Sequence, residues 1–470
     1  MPGTPGLRGK RVTLMGLGAR GGGVGVARYL AQAGAVVTVT DGKPAADLAG
    51  PIAELDALPI RYVLGGHEER DFAEADLVVR NPGVRRDNPL LALARARGVP
   101  VEMEMSLFLR ACPAPVLGVT GTKGKTTVAT LAGALLAAWE PKTVVAGNMG
   151  ISALDRLPEI GPDTPVVLEL SSWQMEALAE HRLSPHVAVI TNIAEDHLNT
   201  YRDFAEYAAT KRSIVAAQRP GDCAVLPIDD PEAWQAAGET SAAVVAFGAG
   251  DRGTDGCWAE SDRIVWRRGE EWSAPIPLDG PFLGEHARAN AAAAVAAARV
   301  MGATPEAIRT GLAGFRGVKD RMEPVAKIDG VRYINDTTAT APVAAAAALR
   351  ALAGTRVVLL AGGADKGLDP SPLAGAASEH GATVLLFEGT ATPRLEQAMR
   401  EAGADARGPF ASMADALAAA RAAARPGDVV LLSPGCASFG LFRDEFDRGA
   451  QFRSLVRAMA GMNSGEGEPA

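Results

Sequence analysis

The segment GVTGTKGKTT at 118–127 constrains the fold of this chain more than any other. An apolar run, VLGVT, enters a loop of glycine, threonine and lysine that opens directly into the helical pattern TTVATLAGALLAAW. Strand, glycine loop and helix start in that order form a cradle in which backbone N–H groups and the positive end of a helix hold phosphate oxygens. Gly121 and Gly124 let the backbone turn around the phosphates, Lys125 brings charge to the β and γ positions, and the Thr126 hydroxyl can reach Mg²⁺, with Thr122 and Thr127 beside them. The glycine spacing is not that of a strict Walker A loop. A plain glycine turn ahead of a core helix accounts for Gly121 and Gly124 but leaves Lys-Thr-Thr unexplained. Such a loop belongs to a parallel α/β sheet, which presents its chemistry at the C-terminal ends of its strands.

The flanking sequence repeats this layout on both sides. RVTLMGLGARGGG, VARYLAQAG and AVVTVTD read as strand, glycine turn, helix and strand, ending at Asp41; ADLVVRNPGV adds a strand at 75–84, and CPAP at 112–115 makes a linker. After the lysine loop come PVVLEL at 165–170, VAVITN at 187–192 and an alanine-rich helix from His286 to Val300. From about Gly317 a third alternation follows, through VRYIND, VVLLAGGADKG, TVLLFEG and DVVLLSPG. A 470-residue chain exceeds one ordinary core. The expectation is an α/β fold in three domains: Rossmann-like over 1–112, P-loop-type ATP-binding over 113–317, and Rossmann-like again over 318–470, with NSGEGEPA as a disordered tail.

Composition narrows the partners. A formal net charge of -8 with no run of Lys or Arg argues against nucleic-acid binding, which needs a basic face for the phosphates. MPGTPGLRGKRVTLMG lacks an apolar signal core, and Arg299 and Arg350 interrupt the alanine tracts before a membrane-spanning length, so the chain is expected to be cytoplasmic without membrane association. Cys112, Cys223, Cys257 and Cys436 lack metal-ligand spacing and read as reduced, buried thiols.

Two strand ends add chemistry to the lysine loop. Glu169 closes VVLEL, where a carboxylate can bind a metal that bridges phosphates, and His197 stands just past the next strand in TNIAEDH. Alone, a strand-end glutamate is more often a solvated residue or a helix cap. Lysine loop, acid and histidine on successive βα units converge on one edge of a sheet, however, and that favours a site. Near the N-terminus, GLGARG at 16–21 fits GxGxxG, with Asp41 spaced for a ribose or base contact. By itself that pattern suits a nicotinamide dinucleotide as well as any other nucleotide, which leaves a dehydrogenase open.

The series GTKGKTT, GNMG (147–150), ELSSWQME, TNIAEDH, YAATK (207–211), GEHARAN (284–290), YINDTTAT (333–340), GGADKG (362–367) and SPGCAS (433–438) resembles the Mur ligase family, in order and over nearly the whole chain. The resemblance implies a monomeric ligase that takes ATP and two Mg²⁺ ions as cofactors and UDP-N-acetylmuramoyl-L-alanine and glutamate as substrates, joining them through an acyl phosphate for peptidoglycan. It assigns Lys125 to the ATP phosphates, and Thr126, Glu169 and His197 to the metals. Lys211 falls on a lysine the family carbamylates into a further Mg²⁺ ligand; an unmodified lysine on a solvated helix face is the alternative. Asn148 matches a residue near the reacting acyl group, while Asn290, Arg321 and Asp336 match nucleotide contacts. The resemblance turns the first glycine loop, with Gly18, Ala19, Arg20 and Asp41, to UDP rather than a nicotinamide. Lys366, Ser438 and Phe439 match the glutamate pocket. D-glutamate is the expected amino acid; Thr338 replaces a lysine common at that position, which leaves L-glutamate, or another Mur-type ligase, as the alternative.

Overall fold

The computed structural model describes residues 6–18, 22–148, 152–195, 201–276, 282 and 284–461; Ala19, Arg20, His197 and the terminal NSGEGEPA lie outside the described residues. Strands β1 (Arg11–Met15), β2 (Val36–Asp41), β3 (Ile60–Leu64), β4 (Leu77–Arg80) and β5 (Val101–Glu102) make a parallel sheet in the order β3-β2-β1-β4-β5. In β1, β2 and β4 the buried apolar residues are near-continuous, as strands covered on both faces require.

The second sheet contains β6 (Val116–Thr120), β7 (Val144–Gly147), β8 (Val166–Glu169), β9 (Val187–Ile190), β10 (Cys223–Pro227), β11 (Ala243–Ala249), β12 (Gly256–Ala259), β13 (Arg263–Arg268) and β14 (Glu270–Pro275). Its order is β14-β13-β12-β11-β10-β9-β6-β8-β7, parallel from β7 to β12 and closed by antiparallel β13 and β14. The third sheet runs β15-β16-β20-β17-β18-β19, from β15 (Glu323–Ile328), β16 (Val331–Asn335), β17 (Val357–Ala361), β18 (Thr383–Phe387), β19 (Asp405–Phe410) and β20 (Val429–Leu432), with only the β15–β16 pair antiparallel. The first two sheets share one compact unit, extending to Ile276 and including Glu285–Gly314; the third builds a second unit from Phe315 onward.

Within the first unit, helices connect the two sheets. Glu104–Ala111, between β5 and β6, packs on the helices Ala153–Arg156 and Ser172–Glu180 of the second sheet, and Gly22–Gln32 packs on Ala153–Arg156. Arg28 Nη1 donates to both carboxylate oxygens of Asp155 at 2.8 and 2.7 Å, and the buried Arg80 pairs with Glu176 at 2.6 Å.

The Glu104 carboxylate is buried in the same contact. Burial pushes its carboxyl up to about 7, aided by the nearby Asp155 charge and opposed by hydrogen bonds from Ser152, Ala153 and Leu154. The unfolded chain releases that proton at a lower pH, so the folded state binds more protons in between and stability falls as pH rises through this window. Glutamine does not titrate. Between pH 5 and pH 8 the stability of Glu104→Gln relative to wild type should therefore shift in favour of the variant, by on the order of 2–3 kcal/mol. Urea unfolding of both proteins at the two pH values measures this, and parallel pH profiles would refute it.

Candidate active site

Register brings the second sheet's loops to one edge. Glu169 of β8 stands opposite Val119 of β6 and Gly147 of β7, and Thr120 of β6 stands opposite Ile190 of β9, so the chain leaves these strands at one level.

After β6 the loop needs its glycines. Gly121 (φ +144°) and Gly124 (φ +88°) occupy left-handed backbone, and a Cβ would lie 1.9 Å from Thr191 Oγ1 in the first and 2.6 Å from Asn290 Oδ1 in the second. Asn290, on the helix Glu285–Val300, is thereby set against the lysine loop. The loop is bonded to the segment after β9: Thr122 N donates to Asn192 O at 2.8 Å, Lys123 N to Asn192 Oδ1 at 3.0 Å, and Thr191 Oγ1 to Lys123 O at 2.6 Å. The helix Lys125–Ala137 begins with no side-chain cap, so its first-turn N–H groups, beside Thr126 and Thr127, suit an anion.

Two lysines meet on one carbonyl. Lys125 Nζ donates to Gly121 O at 2.9 Å and Thr122 O at 3.0 Å, and Lys211 Nζ, buried on the helix Phe204–Arg212, donates to the same Gly121 O at 2.8 Å. Their ammonium groups are thus no more than about 6 Å apart. The Tyr207 ring centre lies 4.8 Å from Lys211 Nζ, and its hydroxyl is 3.1 Å from Thr122 Oγ1. Such a concentration of positive charge favours a polyanion, or the conversion of one lysine to an anion.

Glu169 offers the complementary group. Its Oε1 accepts from Asn148 Nδ2 at 3.0 Å, Asn148 N donates to Glu169 O at 2.9 Å, and the buried Oε2 has no hydrogen-bond partner among the described residues. An unsatisfied buried carboxylate oxygen costs about 1–3 kcal/mol or more, a cost that a coordinated cation removes. Thr126, Glu169 and Lys211 are the described candidates for holding a metal. Among the described residues no cluster of three His, Cys, Asp or Glu side chains forms a site by itself.

In the first sheet, the glycine turn leaves β1 at the switch point between β2 and β4. Asp41 Oδ2 accepts from Leu17 N and Gly18 N at 2.9 and 3.2 Å, and Oδ1 from Lys43 N at 3.0 Å. The carboxylate expected at a ribose or base thus also shapes the turn. Beside it a cavity of about 430 Å³ is lined by Met15, His67, Val84 and Asn88 among others.

In the second unit Asp336 follows β16. Burial pushes its carboxyl up to about 6, against hydrogen bonds from Ser433 Oγ (2.7 Å) and Met322 N (3.1 Å) and the charge of Arg321. Arg321 sits between two left-handed residues, Asp320 (φ +66°) and Met322 (φ +41°); Asn335 Nδ2 at 2.9 Å and Arg453 at 2.5 Å hold the Asp320 carboxylate. Lys366 Nζ donates to Thr340 Oγ1 at 2.9 Å. Ser438 Oγ is buried without a hydrogen-bond partner among the described residues, and the neighbouring Phe439 ring is exposed. The Thr338 hydroxyl donates to Asp320 O at 2.9 Å, so this side chain braces the Arg321 turn.

The phosphate loop, Asn148, Glu169, Lys211 and Asn290 therefore gather in the first unit, and Arg321, Asp336, Lys366 and Ser438 belong to the second. Thr191, Asn192 and Tyr207 were missed by sequence reasoning, although TNIAEDH and YAATK contain them.

Three family descriptions match the chain: "Mur ligase MurD-like, N-terminal domain" over residues 10–102, "Mur ligase middle domain" over 119–298, and "Mur ligase, glutamate ligase domain" over 320–436. A UDP-N-acetylmuramoylalanine--D-glutamate ligase of Roseiflexus sp. (strain RS-1) is 48% identical over 464 residues, covering 96% of this chain and 99% of that protein. The protein of the same name from Symbiobacterium thermophilum is 40% identical, covering 96% and 98%. Among solved structures, UDP-N-acetylmuramate-alanine ligase MurC from Thermotoga maritima aligns with a TM-score of 0.57 at 20% identity, covering 96% of this chain and 99% of that one. A pseudomurein peptide ligase type C from Methanothermus fervidus gives 0.55 at 19% identity, covering 96% and 100%. At these identities the two structures speak for the fold.

Proposed function

The chain belongs to the Mur ligase family, and from that premise we propose that it joins D-glutamate to UDP-N-acetylmuramoyl-L-alanine, converting ATP to ADP and phosphate in peptidoglycan precursor synthesis. The observation that carries the chemistry is Glu169: a buried carboxylate with one oxygen on Asn148 and one without a hydrogen-bond partner among the described residues, at the strand end next to the lysine loop. In this reading an L-alanyl carboxylate oxygen attacks the γ-phosphorus of ATP, the bond to the bridging oxygen breaks, and ADP leaves. Lys125 swings from the loop carbonyls to the phosphates and neutralises charge that grows in the transition state. Asn148, held by Glu169, orients the acyl phosphate. Mg²⁺ ions on Thr126, Glu169, His197 and a carbamylated Lys211 would screen charge between carboxylate and phosphate.

Glutamate binds with its carboxylates at Lys366 and at Ser438 Oγ with the Phe439 backbone N–H. Its neutral amine attacks the acyl carbon, and the tetrahedral adduct expels phosphate as the amine proton passes to solvent. Gly18, Ala19, Arg20 and Asp41 are the candidate contacts for the uridine nucleotide of the acceptor; Asn290 in the first unit, and Arg321 and Asp336 in the second, are candidate contacts for ATP. The ATP and UDP-linked substrates accord with a cytoplasmic enzyme, taken here as a monomer.

Product analysis with UDP-N-acetylmuramoyl-L-alanine, ATP and a panel of amino acids tests the reading. ADP release should require the UDP-linked acceptor, and D-glutamate should give at least about tenfold more product than L-glutamate at equal concentration, because one enantiomer alone places both carboxylates and the amine together. A preference for L-glutamate would overturn the stereochemical assignment, and acceptor-independent turnover the ligase itself.

A further inference from the structure

Glu104 takes no part in the chemistry above, yet its burial is costly. Its Oε1 accepts from Ser152 Oγ at 2.6 Å and from Ala153 N at 2.9 Å, at the start of the helix Ala153–Arg156. Its Oε2 is 3.5 Å from where a Cβ on Gly22 would stand, at the start of the helix Gly22–Gln32 that follows the glycine turn of the first sheet. One turn along that helix, a Cβ on Gly25 would lie 2.1 Å from Ser152 Oγ, so glycine is what lets the two helices meet. Arg28 and Asp155 close the same contact. Asn148 and Ser152 are four residues apart, and each is held by a buried carboxylate: Asn148 by Glu169, Ser152 by Glu104.

We propose that Glu104 is a positioning residue: it joins the starts of the helices Gly22–Gln32 and Ala153–Arg156, and so sets the segment carrying Asn148 against the nucleotide turn of the first sheet. The inference rests on the reading in which Asn148 faces the reacting acyl group. Packing alone does not call for an acid here, since an apolar side chain would fill the space without the desolvation that pushes this carboxyl up to about 7. The two oxygens have different neighbours. Oε1 accepts from Ser152 and Ala153, and Oε2 stands against Gly22, the first residue of the helix that follows the nucleotide turn.

Glutamine separates the two, because its oxygen can keep Ser152 and Ala153 while its amide group turns a donor toward the helix start at Gly22. Steady-state kinetics should show Glu104→Gln with kcat within about threefold of wild type but KM for the UDP-linked acceptor raised about fivefold, and Glu104→Ala with kcat lowered about tenfold as well; KM for ATP should stay within about twofold in both. Ser152→Ala, a smaller change, should lower kcat without raising the acceptor KM. A fully active Glu104→Ala enzyme would overturn the proposal. So would a loss in Glu104→Ala matched by an equal loss of ATP-binding sites, which marks plain misfolding. Asn148→Ala serves as the separate control: full activity there removes the reading of the acyl segment, whereas an impaired Asn148→Ala beside unaltered Glu104 variants removes only the present inference.

Discussion

Lys125→Ala should all but abolish ADP formation, with kcat lowered by about 10³-fold or more, while the protein stays folded. Nζ donates to two carbonyls of its own loop, at Gly121 and Thr122, which water can replace at this partly exposed position. The loop conformation is set by other groups, namely Gly121, Gly124 and the bonds to Thr191 and Asn192. On the proposed reading, what the variant lacks is charge at the γ-phosphate when negative charge shifts onto the bridging oxygen; single preorganised groups of this kind are worth about 10²–10³-fold, and the loss is larger for a full charge. A coupled ADP assay reads the rate, and circular dichroism with thermal unfolding reads the fold. Wild-type turnover in Lys125→Ala would remove the phosphate-loop assignment, and an unfolded variant would show that Lys125 holds the structure.

The parts of the fold that sequence reveals are those where one local rule acts alone. β8, β9, β16, β17, β18 and β20 fall on the apolar runs identified in the sequence, because parallel strands buried on both faces need continuous Val and Leu. Glu285–Val300 falls on the alanine-rich helix candidate. β19, with DARGPF and its exposed pattern, has no such signature, since an edge strand buries little. The site divides in the same way. Glu169 and Asn148 stand at strand ends, and Lys125 opens the helix that follows β6, where sequence order fixes their place. The bonds between Lys123 and Asn192, and between Glu104 and Ser152, join residues 69 and 48 positions apart, and no spacing rule reaches that far. Asp41 shows a third case: a spacing that suggests a ligand contact also serves the turn that the ligand would approach.

Lys211→Ala should lose about 10²-fold or more in kcat and recover part of it with a small carboxylate such as acetate or formate. Lys211 is buried, its Nζ on Gly121 O and near the Tyr207 ring, and it shares that carbonyl with Lys125. On the proposed reading the neutral amine adds to the carbon of CO₂, one amine proton leaves, and the resulting carbamate presents two oxygens where the ammonium stood. The position would then offer hard oxygen, as the buried Glu169 carboxylate does, and that donor set suits Mg²⁺. Truncation to alanine opens a space of the size of the lost side chain, and an exogenous carboxylate that enters it replaces the missing oxygens without a covalent bond. A small amine is the counter-probe. If the unmodified ammonium were the working group, methylamine would restore activity and acetate would not, since the two differ in the sign of the charge they return. Rescue by acetate or formate supports the carbamate; rescue by methylamine alone, or an unimpaired Lys211→Ala enzyme, would refute it.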